Sequence, residues 1–119
     1  MFAKSHRFHG YGSLRGVYQR GQSVRGTTIS LKFAQRESHR PYRVAVVVSR
    51  KVNKSAVVRN RIRRRIYEQV RHLSSEIQPG TDLVFTVYSD QIAELETSKL
   101  ASQIKELLEK TIKPNIITT

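Results

Sequence analysis

The sequence predicts an α+β domain, a single two-layer sandwich in which helices pack on a small sheet. Three observations predict it. Short alternating or β-branched runs occur at residues 28–33, 43–49 and 81–88. Longer runs with apolar residues every three or four positions occur at 55–77 and 97–112. The two kinds interleave over 119 residues, the length of one domain. Hydrophobic residues make up 38% of the chain, enough for one modest core. Cysteine is absent, which excludes disulfide frameworks and cysteine-based zinc or nucleophile chemistry. No apolar run approaches the ~20 residues that span a bilayer. The stretch MFAKSHRFHGYGS lacks the apolar segment of a secretory signal, so the expected location is cytoplasmic.

Taken in order, residues 1–12 mix Lys4, His6, Arg7 and His9 with Phe2, Phe8 and Tyr11, and are expected to form a flexible basic arm. Ser13 is a candidate cap for a short helix that runs to about Arg20 and stops at Gly21. Leu14, Val17 and Tyr18 share one face of it. Ser23 and Val24 suit a short edge strand. In residues 28–33, Ile29, Leu31 and Phe33 point one way and Thr28, Ser30 and Lys32 the other, as in a half-buried strand. QRESHRPY, residues 35–42, reads as a polar turn. RVAVVVS, residues 43–49, is almost continuously apolar, which predicts a central strand covered on both faces. After the basic connection RKVNK and a Ser55 cap, Val58, Ile62, Ile66, Val70, Leu73 and Ile77 form one helical stripe. Pro79-Gly80 ends that helix. TDLVFTVY is the next strand. A last helix over 97–112 aligns Leu100, Ile104, Leu107, Leu108 and Ile112, and Pro114 stops it. The order is roughly α-β-β-β-α-β-α, with an arm (1–12), a domain (13–113) and a tail (114–119).

The charge is unevenly spread. The net value is +13, but residues 1–67 carry 17 Lys and Arg against the single acid Glu37, whereas residues 68–119 carry 5 against 8 acids. Such a field draws polyanions, with nucleic acid the leading partner and an anionic membrane surface its competitor. Within VVRNRIRRRIYEQVR, five arginines fall at 59, 61, 63, 64 and 65. Steps of 100° put Asn60, Arg61, Arg64 and Arg65 opposite the apolar stripe, and Arg59 and Arg63 toward its margin, where long stems reach past the sheet edge. Acids at helical spacing are missing until Glu68. A solvated surface face is one account. The stronger one is a phosphate-binding ridge, because guanidinium forks match phosphate oxygens and stay charged at any cellular pH. Arg50, Lys51 and Lys54 extend the same surface, and Asn60 can reach a sugar or base edge. Leu14 and Val17 suit core packing, while Tyr18, Phe8 and Tyr11 are candidates for stacking unpaired bases. The histidines are scattered, and no metal site, catalytic triad, carboxylate pair or phosphate loop emerges. The apolar stripe commits the arginine helix to a core, which argues against a membrane-surface role.

RVAVVVSRKVNKSAVVRNRIRRRIYE resembles the signature region of the bacterial ribonuclease P protein subunit: a hydrophobic strand ending in Ser and two basic residues, a loop, then a helix opening with Arg-Asn-Arg. Arg59, Asn60 and Arg61 match that core, and Arg63 and Arg64 the next basic pair. LRGVYQRGQSV, TDLVFTVY and LETSKLASQIKELL agree in order and spacing, so the likeness runs from about residue 13 to 112, with the HRFHG arm outside it. Two positions depart from the pattern: Leu14 stands where the family usually has the first of two aromatics four apart, and Tyr67 where a basic residue is common. The resemblance implies a left-handed βαβ crossover of the kind in the second domain of ribosomal protein S5, against the usual right-handed rule. It implies a role as the protein subunit of a ribonucleoprotein that removes the 5′ leader of precursor tRNA. It also implies that hydrolysis is performed by the RNA subunit with Mg²⁺ and not by this chain. RNA contact is then expected from Arg50, Lys51, Lys54, Arg59, Asn60, Arg61, Arg63, Arg64 and Arg65, and leader contact from Leu14, Tyr18, Ser30 and Lys32 in a cleft between the first helix and the sheet. The expected partners are ribonuclease P RNA and precursor tRNA, in a 1:1 particle with a monomeric protein. A ribosomal or chaperone-type RNA-binding protein without a part in catalysis is the alternative.

Overall fold

The computed structural model describes residues 6–8, 11–36 and 40–117. Helix α1 spans Tyr11–Arg20. Strands β1 (Gln22–Val24), β2 (Ile29–Gln35) and β3 (Arg43–Val47) follow, then helix α2 (Ala56–His72), strand β4 (Thr81–Val87) and helix α3 (Thr97–Ile117). The sheet order is β1-β2-β4-β3. The β1–β2 and β2–β4 pairs are antiparallel, whereas β3 and β4 are parallel and are joined by the α2 crossover.

Strand alternation sorts the sheet into two faces. On one, Ile29, Leu31, Val44, Val46, Leu83, Phe85 and Val87 meet Ile62, Ile66 and Val70 of α2 and Leu100, Ile104, Leu107 and Leu108 of α3 in the core. Each fully buried aliphatic or Phe side chain stabilises the fold by about 1.5–3 kcal/mol. On the other face α1 covers part of β2 and β4, with Val17 and Val84 both at zero exposure.

The expectation of a central strand at residues 43–49 is not met. RVAVVVS does not run through the middle. β3 is an edge strand whose burial alternates, with Val44 and Val46 inside and Ala45 and Val47 half-exposed. β4 is the strand between two neighbours, and all its residues but Thr86 are buried. An apolar run signals capacity for burial, but the order of strands decides which run receives cover on both faces.

Helix limits differ too. α1 begins at Tyr11, two residues before the expected Ser13 cap. α2 opens as expected, with Ser55 Oγ accepting from Val58 N at 3.3 Å. It ends at His72, however, and a separate 3₁₀ turn at Ser74–Glu76 takes the chain to Ile77, which is extended. The last helix continues through Pro114 to Ile117 and so crosses the expected 113/114 boundary. Proline removes one N–H and displaces the carbonyl four residues back, but the amides of residues 115–117 still face carbonyls one turn earlier, so the final turn survives. Tyr42, expected in a polar turn, is a buried core residue whose hydroxyl shares a 2.5 Å hydrogen bond with Ser74 Oγ.

The arm is not free along its described part. Arg7 bridges Val44 on the outer edge of β3. The His6 ring stacks on Tyr42 with centroids 4.0 Å apart, and Phe8 lies against the Arg43 guanidinium at 4.6 Å. The arm thereby shields an open strand edge. Residues 1–5, 9–10, 37–39 (His39 among them) and 118–119 lie outside the described residues.

Candidate nucleic-acid interface

The arginine helix does not present its five guanidinium groups alike. Arg61 and Arg64 are exposed, beside exposed Asn60. Arg61 makes one loose pair with Glu94 at 3.5 Å, both side chains largely in solvent, and such pairs are worth less than about 1 kcal/mol. Arg59 is turned back on the preceding loop, donating to the carbonyls of Asn53 at 3.0 Å and Lys54 at 2.8 Å. Arg63 donates to Asn60 Oδ1 at 2.5 Å and to the Val48 carbonyl at 3.4 Å. Arg65 corrects the sequence expectation. Instead of standing on the outer ridge, its guanidinium donates to the carbonyls of Ile92 and Leu95. Those carbonyls belong to the 3₁₀ turn Asp90–Ala93 and the residues after it, a tertiary contact that helical geometry alone does not predict. Asn53 ties the loop down: its Oδ1 accepts from Ser55 N at 2.8 Å, and its Nδ2 donates to Asp90 at 3.0 Å. On this braced loop Arg50, Lys51 and Lys54 are exposed. Among the described residues, none of these three nor Arg64 has an acidic partner.

The expected cleft residues converge on the sheet face that α1 crosses. Lys32 Nζ lies 5.5 Å from the centre of the Tyr18 ring. Ser30 and Lys32 are neighbours on that face of β2, and Leu14 is half-buried in α1. The register lines Lys32 opposite Val84, and Val84 opposite Ala45, in one row across three strands. Val84, at zero exposure, lies covered in the middle of this row. At its β3 end, Ala45 borders a separate groove of about 880 Å³ lined also by Arg7, Phe8, Val57, Asn60, Arg63, Arg64, Tyr67 and Arg71. The floor is apolar and aromatic and the rim cationic, the composition that holds bases and their phosphates together. One acid lies in the lining, Glu68. The Arg71 guanidinium is hydrogen-bonded to it and holds its carboxyl below the usual range, so it stays ionised at neutral pH.

Beneath this surface sits a buried ion cluster. Asp82, with its side chain 1% exposed, accepts from Arg36 Nε at 2.9 Å and from Arg43 Nε and a terminal guanidinium nitrogen at 2.8 and 2.7 Å. The Asp82 hydrogen bonds raise the Arg43 pKa above its ordinary value despite partial burial. Asp82 therefore holds two cations at the β3–β4 end of the face as part of the scaffold, not of the ridge. No group of three or more His, Cys, Asp or Glu side chains comes together among the described residues. No helix among them is long and apolar enough to cross a membrane.

A family profile described as Ribonuclease P matches residues 2–112. The chain belongs to the ribonuclease P protein family. It is 33% identical over 105 residues to the ribonuclease P protein component of Picosynechococcus sp., covering 88% of this chain and 89% of that one. It is 38% identical over 81 residues to the component of Brevibacillus brevis, covering 68% and 64%. In fold it resembles the ribonuclease P protein of Staphylococcus aureus at 21% identity, with a TM-score of 0.78 over 91% of this chain and 96% of that one. The corresponding figures for the Thermotoga maritima protein are 21%, 0.74, 87% and 96%.

The ribonuclease P family match begins at residue 2, and not near 13 as the motifs suggested. The described His6–Phe8 part of the arm packs on the domain. Sequence reasoning also passed over Tyr67, Glu68 and Arg71 as groove residues, and Tyr88 on the cleft face. Arg71 follows Arg64 by seven positions, two helical turns along the same face, so its place was readable. That of Arg7 was not, because it depends on the arm finding the β3 edge.

Proposed function

We propose that this chain is the protein subunit of a ribonuclease P ribonucleoprotein, binding the catalytic RNA and the 5′ leader of precursor tRNA in the cytoplasm. The observation that carries the reading is the crowding of exposed cations on α2 and its loop, several of which rim a groove with an aromatic lining of Phe8 and Tyr67; the Tyr18–Lys32 cleft lies on the sheet face that α1 crosses. Arg61, Arg64, Arg50, Lys51 and Lys54 neutralise phosphates of the structured RNA and release its counterions. Arg59 and Arg63 brace the loop that presents them. The single-stranded leader lies across the sheet face, held by backbone charge and stacking with little reading of sequence. Hydrolysis belongs to the RNA subunit and the Mg²⁺ it holds. The protein lowers the repulsion between two polyanions and so reduces the Mg²⁺ needed. One protein acts with one RNA.

The test is reconstitution with a bacterial ribonuclease P RNA and an assay of leader removal over a Mg²⁺ series. The chain is expected to shift the Mg²⁺ midpoint downward and to cut nothing without added RNA. An unchanged midpoint removes the assisting role, and co-purification with ribosomal RNA alone favours a ribosomal or chaperone-type binder instead.

A further inference from the structure

Three large apolar side chains stand well exposed among the described residues: Val57 at 74%, Tyr88 at 56% and Tyr18 at 42%. Val57 borders the groove beside α2. The two tyrosines share the sheet face that α1 crosses. Tyr88 follows the last residue of β4, and its amide still donates to the Thr28 carbonyl at 2.8 Å, so strand geometry continues through it. Alternation from Val84 and Thr86 then turns its ring onto the cleft face. There the Tyr88 hydroxyl and Ser30 Oγ share a hydrogen bond of 2.7 Å. Ser30 lies two residues, roughly 6.5–7 Å, along β2 from Lys32, whose ammonium lies over Tyr18. The sequence across the face is aromatic, cation, hydroxyl, aromatic. An exposed ring gains little from burial, yet this one is held in place by a bond at its far end. A held, open π-surface beside a cation is what an unpaired base requires.

We propose that Tyr88 is a second stacking platform of the cleft, taking one unpaired base of the leader while Lys32 takes the phosphate between that base and one on Tyr18. The inference rests on the reading of the chain as a ribonuclease P subunit and adds a residue that sets how the leader is held.

The experiment uses the reconstituted holoenzyme with wild-type protein, Tyr88→Ala and Tyr88→Phe. Equilibrium binding is measured for precursor tRNA and for mature tRNA without a leader. Tyr88→Ala is expected to weaken precursor binding about 5- to 160-fold, the usual effect of losing one base–aromatic stack, and to leave mature tRNA unchanged. Tyr88→Phe keeps most of the affinity. A set of precursors with single abasic leader positions supplies the second readout. In wild type two positions lose affinity, one for each ring, and in Tyr88→Ala only the Tyr18 position still does. Equal losses for precursor and mature tRNA, an abasic profile unaltered by the substitution, or a change in self-association alone would each overturn the proposal. Failure of the wild-type protein to assemble with the RNA overturns the functional reading as well; assembly and cleavage with an indifferent Tyr88→Ala overturns this inference only.

Discussion

At the scale of single residues, the strongest dependence falls on Asp82. It is the one acid of the central strand β4, and two arginines from separate segments close on it with three hydrogen bonds of 2.7–2.9 Å. Removing one partner from a buried ion cluster leaves the others uncompensated, a loss of about 3–5 kcal/mol. Arg36 and Arg43 retain 19% and 18% side-chain exposure and can turn partly to water, which places the expected cost near the lower end. Against a total stability of about 5–15 kcal/mol this is a large fraction. Urea unfolding of Asp82→Ala should show it, and a midpoint within error of wild type would mean the cluster contributes no net stability.

The arginine helix separates two roles that a charge count merges. Arg64 projects into solvent from the ridge, whereas Arg65 satisfies two carbonyls that follow a 3₁₀ turn. Arg64→Ala is therefore expected to lower RNA affinity and reduce the salt slope of binding by about 0.7–0.9, with little change in melting temperature. Arg65→Ala is expected to do the reverse, lowering stability by roughly 1.5–3 kcal/mol, the scale of hydrogen bonds to a charged group, while the slope holds. Titrating binding against salt and melting each variant decides it; the same pattern from both substitutions would dissolve the distinction. For the wild-type ridge and loop, with about five phosphates contacted, log K should fall with log salt at a slope of roughly −3.5 to −4.5. Elsewhere a backbone constraint sets an element's limit. Gly80 has a φ of 82°, a left-handed conformation that glycine adopts without strain, and this lets the chain turn into β4.

For the molecule as a whole, the clustered charge is a cost of folding and a means of regulating stability. Seventeen cations lie in residues 1–67 with one acid, and compaction brings them together. Anions that bind the folded form alone should offset this by mass action. Raising sulfate 20-fold at constant ionic strength, above its dissociation constant, is expected to add about 1–2 kcal/mol, visible as several degrees in melting temperature. A melting point indifferent to sulfate would mean that the folded surface holds no anion tightly enough to matter.

The sequence by itself determined the interleaving of helices and strands, the apolar stripe of α2 with its Ser55 cap, the basic face of Asn60, Arg61 and Arg64, and the likeness that led to the family. These are local properties, carried by periodicity and by residue types a few positions apart. Only the tertiary structure decided that the apolar run at β3 lies at an edge while TDLVFTV takes the centre, that Arg65 belongs to the scaffold, that His6, Arg7 and Phe8 seal a strand edge, and that Tyr88 faces Tyr18 across Lys32. Each of these depends on a partner 20 or more positions away in the chain. A side chain's chemistry is fixed where it is encoded, but whether it is spent on the core or left for a ligand depends on which distant backbone groups arrive beside it.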